Sequence, residues 1–162
     1  GLYFNETEFT FESAHGTNSP GFTLASFIVL TGASGSTVAG YEVSIGSSAA
    51  DFSIPLTNLV FDFNAGTNTN QIVTFLAPKP VSAEGTVLAT VFLTTDSIDP
   101  ETISFGASSP ATIAGSPVVK YVAAGDVACG GPFGTPVVAW LNGAGPVGVD
   151  GQTWGGLKAL FR

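Results

Sequence analysis

An all-β sandwich of the jelly-roll or Greek-key kind is the fold this sequence predicts, on three observations. The composition disfavours helix: 21 glycines and 10 prolines accompany many Val, Thr, Phe and Ile residues, and only 10% of the chain is charged. Short alternating stretches recur, separated by Gly, Pro, Asn or Ser turns roughly every 8–12 residues. The third observation is Gly85 to Asp96, GTVLATVFLTTD, the cleanest strand in the chain. Val87, Ala89, Val91 and Leu93 share one face of it, and Leu88, Thr90, Phe92 and Thr94 share the other. Both faces are largely apolar, which predicts a central strand with cover on each side. The 162 residues fit a single domain, 1–162, with a substantial core.

Residues 1–14, GLYFNETEFTFESA, fall into two short pieces. Leu2 and Phe4 share one phase, Phe9 and Phe11 another, and Asn5-Glu6-Thr7 shifts the register between them as a bulge or bend does. With Tyr3 added, this is much apolar surface for a terminus. Two placements fit it: a first strand of the domain's own sheet, or a strand that pairs with a neighbouring subunit. Asn5-Glu6-Thr7 also matches the acceptor pattern for a glycan on Asn5. His15 to Gly21, HGTNSPG, is a turn cluster, and His15 reads as a solvated turn residue, since no Cys or His beside it could share a metal.

Phe22 to Leu30 is a second two-sided strand, followed by a loop from Gly32 to Ser36. Val38 to Ile45, VAGYEVSI, predicts a strand with Ala39, Tyr41, Val43 and Ile45 inward and Glu42 and Ser44 outward. Gly46 to Asp51 turns the chain, Pro55 interrupts it, and a strand is predicted at Asn58 to Phe63. Ala65 to Asn70 is a turn, and Gln71 to Leu76 is a strand ended by Pro78 and Pro80. After the central strand, Asp96, Asp99 and Glu101 offer the oxygens calcium wants. The segment lacks the ligand count and the glycine of a dedicated loop, and reads as an Asp/Pro turn. Thr102 to Phe105 is a short strand, 106–117 a loop, and Pro117 to Ala124, PVVKYVAA, a strong strand. Residues 125–162 form a glycine-rich arm, looped from Gly125 to Gly151 except for a strand at Pro136 to Leu141. Its tail, TWGGLKALFR, carries Trp154, Leu157 and Phe161 as anchors, on a helical turn or an edge strand, suited to lying on another copy.

Twelve acids against four bases give a net charge of −8, and the bases Lys79, Lys120, Lys158 and Arg162 are scattered. That argues against nucleic acid, whose phosphates need clustered Lys and Arg, and against an anionic membrane surface. No apolar run reaches the roughly 18 residues of a transmembrane helix. Gly1 stands where a start methionine would, as in a precursor cut after its signal peptide, so export to the cell surface or medium is expected. Cys129 is the only cysteine, which forbids a disulfide within the chain. In the tight C-G-G-P loop it reads as a buried thiol, with pairing between chains as the alternative.

No catalytic constellation emerges. A serine hydrolase would have to use His15, and Gly32-Ala33-Ser34-Gly35 is only a loop, with no strand-to-helix elbow. A thiol enzyme would need Cys129 with His15 and a third, orienting group. A glycosidase needs two carboxylates in a cleft; twelve acids allow many pairs, and most of them lie in turns or on polar strand faces where solvation accounts for them. The chain is expected not to be an enzyme and to use no cofactor or metal.

From Phe22 to Phe105 the chain resembles the cohesin-like β-sandwich modules of secreted bacterial proteins. The residues that carry the resemblance are VAGYEVSI (38–45), GTVLATVFL (85–93), and Phe61 and Phe63 between them. It implies a nine-stranded jelly roll exported as a docking or assembly domain. Both ends depart from that pattern, so dockerin binding does not transfer. The ending TWGGLKALFR resembles short endings of secreted bacterial proteins, and the two ends together resemble strand-exchanging subunits of extracellular fibres, which complete a neighbour's sheet. The leading expectation is a filament subunit that binds copies of itself head to tail, as a helical homopolymer. Leu2, Tyr3, Phe4, Phe9 and Phe11 would pack into the next subunit, with Trp154, Leu157 and Phe161 as a second anchor. The alternative is a monomeric cohesin-like or carbohydrate-binding module, with Tyr121, Trp140 or Trp154 stacking on sugar rings.

Overall fold

The computed structural model describes residues 1–4, 15–16, 21, 23–31, 37–58, 62–82, 85–112, 118–123, 126–132 and 137–143. These hold twelve strands and no helix: β1 (Leu2–Tyr3), β2 (His15–Gly16), β3 (Leu24–Leu30), β4 (Thr37–Ser47), β5 (Ser53–Asn58), β6 (Phe63–Asn64), β7 (Asn70–Pro80), β8 (Thr86–Thr94), β9 (Glu101–Gly106), β10 (Val118–Ala123), β11 (Asp126–Pro132) and β12 (Val137–Leu141). Two sheets result. The smaller has the order β1-β3-β8-β5, and the larger runs β11-β10-β4-β9-β12-β2, with β7 on the opposite edge of β4 and β6 beside β7. The pairings are antiparallel except that β2 runs parallel to β12.

One core lies between the sheets. The smaller sheet supplies Leu2, Ile28, Ile54, Leu88, Ala89, Val91 and Leu93, and the larger sheet faces them with Val38, Tyr41, Val43, Ile45, Val73, Phe75, Ile103, Phe105, Val119, Ala139 and Leu141. The rings of Tyr41 and Phe75 meet at a tilt, 6.0 Å apart. From β3 to β9 the chain changes sheet at each step: β3, β5 and β8 lie in the smaller sheet, and β4, the β6–β7 pair and β9 in the larger.

The central strand sits between β3 and β5 as expected, with a change of phase. Ile28 pairs with Ala89 but Val29 pairs with Val87, so Leu88 is the extra residue of a bulge. Leu88 therefore turns into the core beside Ala89, Val91 and Leu93, and Val87 is left half-buried. The outward Thr90, Phe92 and Thr94 are also half-buried, so cover on that face is partial. The same device corrects β4. Tyr121 pairs with Val38 and Lys120 with Gly40, which leaves Ala39 extra. Val38, not Ala39, is fully buried in phase with the core. Gly40 follows the bulge where the β7 backbone comes close: a Cβ there would overlap the carbonyl oxygen of Val73.

Other differences have local causes. Of the strand expected at Asn58 to Phe63, Asn58 ends β5 and Phe63 begins β6, and 59–61 lie outside the described residues. Pro55 is accommodated inside β5 because that strand is a sheet edge and because the register slips between Ser53↔Thr94 and Leu56↔Phe92 around it. Pro78 and Pro80 do not end β7 at Leu76. They fall beside the β4 bulge, where register passes from Gly40↔Thr74 to Val38↔Lys79. His15 pairs with Trp140 in a two-residue strand. The glycine-rich stretch expected to loop holds β11, the hairpin partner of β10. Val118 opposes Pro132 and Lys120 opposes Cys129, so Gly130 and Gly131 share the place opposite Val119 as a bulge.

Candidate functional site

Three groups of residues carry most of the polar and interface chemistry of the described chain. The first is the seat of β1. Leu2 pairs with Ile28 and Tyr3 with Phe27 along the edge of β3. Two further main-chain bonds extend the ladder: the Gly1 amine donates to Val29 O at 2.9 Å, and Val29 N donates to Gly1 O at 3.0 Å. Leu2 is 0% exposed and Phe4 packs, half-buried, against the same core. The Tyr3 side chain is hydrogen-bonded to that of Thr31, just beyond β3. Because β1 also touches β12, it lies where the two sheets meet.

The second group is centred on Glu42. Its position in β4 puts it on the face opposite Tyr41 and Val43, which predicted a solvated carboxylate; instead it is 0% exposed. The segment after β9 folds over it. The Ser108 hydroxyl donates to Oε2 at 3.2 Å, Thr112 N donates to Oε2 at 2.9 Å, and the Thr112 hydroxyl donates to Oε1. Lys120 of β10 adds an ion pair at 2.9 Å, and its ammonium also donates to Thr112 Oγ1 at 3.2 Å. Burial alone pushes the Glu42 carboxyl up. The donors from Lys120 and Thr112 more than reverse that and hold it at about 2. A lone Lys among the apolar residues of VVKYVA was the available sequence signal, since a charge on a covered strand must find a partner.

The third group lies at one end of the sandwich. Glu101 occupies the core-facing phase of β9 with Ile103 and Phe105, and is 3% exposed. Its Oε1 accepts from the Thr95 hydroxyl at 2.8 Å and its Oε2 from the Ser47 hydroxyl at 3.1 Å. Asp51 sits on the outer side of Thr95 and accepts Asp96 N at 2.7 Å, which holds its carboxylate below the usual range. Of the three calcium candidates, Glu101 is thus turned inward onto hydroxyls while Asp96 and Asp99 are exposed. Among the described residues, no three His, Cys, Asp or Glu side chains gather as a metal site. A buried polar chain also crosses between the sheets: Tyr41 OH donates to Gln71 Oε1 at 2.6 Å, and Gln71 Nε2 donates to Thr57 Oγ1 at 3.1 Å and Asn68 O at 2.7 Å.

Of the expected assembly residues, Leu2, Tyr3 and Phe4 come together on β3 and the core of their own chain. Phe9, Phe11, Trp154, Leu157, Phe161 and the glycan acceptor Asn5 lie outside the described residues. Cys129 lies in β11, opposite Lys120. Trp140 is half-buried on β12, between His15 and Thr102. No helix among the described residues is long and apolar enough to cross a membrane. No protein-family model matches the chain, and neither does any curated protein or solved structure.

Proposed function

We propose that this chain is a structural, non-enzymatic subunit of an extracellular bacterial filament that polymerises head to tail by β-strand addition. One observation carries the reading: a strand of two residues delivers a fully buried leucine to the junction of the two sheets and is paired along a single neighbouring strand, β3. Strand addition uses these same elements, main-chain hydrogen bonds for affinity and an apolar side chain in a pocket for register. The finer architecture in this reading is a jelly roll, cohesin-like over residues 22–105, and the repeated change of sheet between β3 and β9 supports it. A second reading, a monomeric cohesin-like or carbohydrate-binding surface module, is favoured by the fact that Leu2 closes the core of its own chain.

Negative-stain microscopy with light scattering, on protein purified without denaturant, separates the two. Regular filaments support the first. A uniform species at the chain mass of 16.4 kDa refutes it and directs the search to glycan ligands.

A further inference from the structure

We infer that the seat of β1, formed by the edge of β3 against β12, is the acceptor site of assembly, and that the strand it receives is β1 of a second copy of this chain. The inference rests on the filament reading and names its joint.

The seat reads β1 through three features. Backbone groups at Phe27, Ile28 and Val29 set an antiparallel direction. The enclosed position of Leu2 admits one apolar side chain and fixes the register, because a slip of one residue would bring Tyr3 into the core and turn Leu2 out. The Tyr3 side chain then meets Thr31. Among the described residues, the strand contacts that receive β1 are made chiefly by β3, the segment after it, and β12. A second copy brings an identical β1, so its docking reproduces each contact and changes only the connectivity. A chain that gives its β1 away leaves its own seat open for the next. The donor and acceptor patches differ, so the contact is heterologous and extends as an open chain unless the rotation closes a ring. Cis and trans seating also bury the same groups, which makes the balance between them a matter of concentration.

The test uses the full chain with Cys129→Ser, which removes the only native thiol. Tyr3→Cys and Phe27→Cys are made in separate chains at directly opposed positions. The two chains are mixed at high concentration and treated with a short bismaleimide. Each chain alone is the control, and a chain carrying both substitutions is treated in parallel. The expected result is a covalent dimer that needs both chains in the mixture, and from the double variant a ladder at multiples of about 16 kDa. Cross-links confined within single chains at every concentration overturn the inference. Microscopy of the same samples separates its failure from that of the filament reading. Filaments with only intrachain cross-links mean that another joint builds the fibre. Covalent dimers without filaments mean that the seat exchanges β1 in closed pairs, so the joint stands and the filament falls.

Discussion

Replacing Lys120 by Met is expected to destabilise the fold by about 2–3 kcal/mol, and Glu42 is the reason. The substitution keeps much of the aliphatic stem and removes the ammonium, so packing is largely preserved. It leaves a carboxylate that is 0% exposed without its one cationic partner among the described residues, 2.9 Å away. Breaking a buried pair from one side costs roughly 3–5 kcal/mol. Glu42 keeps two donors from Thr112 and one from Ser108, which places the cost at or below the lower end of that range. A second route gives a similar size. A carboxyl held at about 2 against its usual 4.5 is a net stabilisation on the order of 3 kcal/mol after the cost of burial, so the donors together contribute more than that, and a share of about 2–3 kcal/mol for Lys120 fits within it. Urea unfolding at pH 7 measures the difference, with an unchanged denaturant slope showing that only the native state was perturbed. The acid limb gives an independent readout. The folded pKa of Glu42 lies below the unfolded one, so its stabilisation is whole above pH 4.5 and fades as pH falls toward about 2. The variant should lose less stability across that window than the parent. A cost under about 1 kcal/mol, the size of a solvent-exposed pair, with an unaltered acid limb would refute the argument.

Three further outcomes follow from the buried polar groups and the close backbone approach. Tyr41→Phe removes the donor that meets Gln71 Oε1 at 2.6 Å and should cost about 1–3 kcal/mol, read as a lower urea midpoint. Thr95→Val takes from Glu101 a donor at 2.8 Å and should lower stability by a similar amount, about 1–3 kcal/mol, while Thr95→Ser restores most of it. Gly40→Ala sets a methyl group against the Val73 carbonyl oxygen and should cost about 3 kcal/mol, the top of the usual overpacking range; a thermal melt indistinguishable from the parent's would show that β7 can yield there.

The strands of the core were legible wherever alternation was strict, as in Tyr41, Val43 and Ile45, or Ala89, Val91 and Leu93. What defeated the pattern was the bulge. At Leu88 and Ala39 one extra residue reverses the phase, and its place is set by pairing with strands distant in sequence, which no local window contains. Edge position likewise decides whether a proline ends a strand, and Pro55 was misread because the edge is a property of the assembled sheet. The polar groups followed the same division. The Asp/Pro turn after β8 could be read from residue types, but the inward aim of Glu101 and the cover over Glu42 depend on which segments fold across them. The apolar character of Leu2 was visible in sequence, whereas its role in closing the junction of the sheets needed β3 and β12 in place.

The passage from one sheet to the other at each step between β3 and β9 also constrains how this chain acquires its structure. Apart from the two residues of β1, β3 has no described partner in the smaller sheet until β8 has been made, since Leu24 pairs with Leu93. The larger sheet waits longer, because β9 takes β12 as its neighbour, with Glu101 opposite Leu141. Nearly the whole described chain must therefore leave the ribosome before either layer can close over the other. Loop-closure entropy is spent early and rewarded late, which places folding in the slow, millisecond-to-second class of all-β domains. In that interval unpaired strands such as β3 and β8 are exposed to other chains, and a cell making this protein in quantity has reason to keep nascent copies apart.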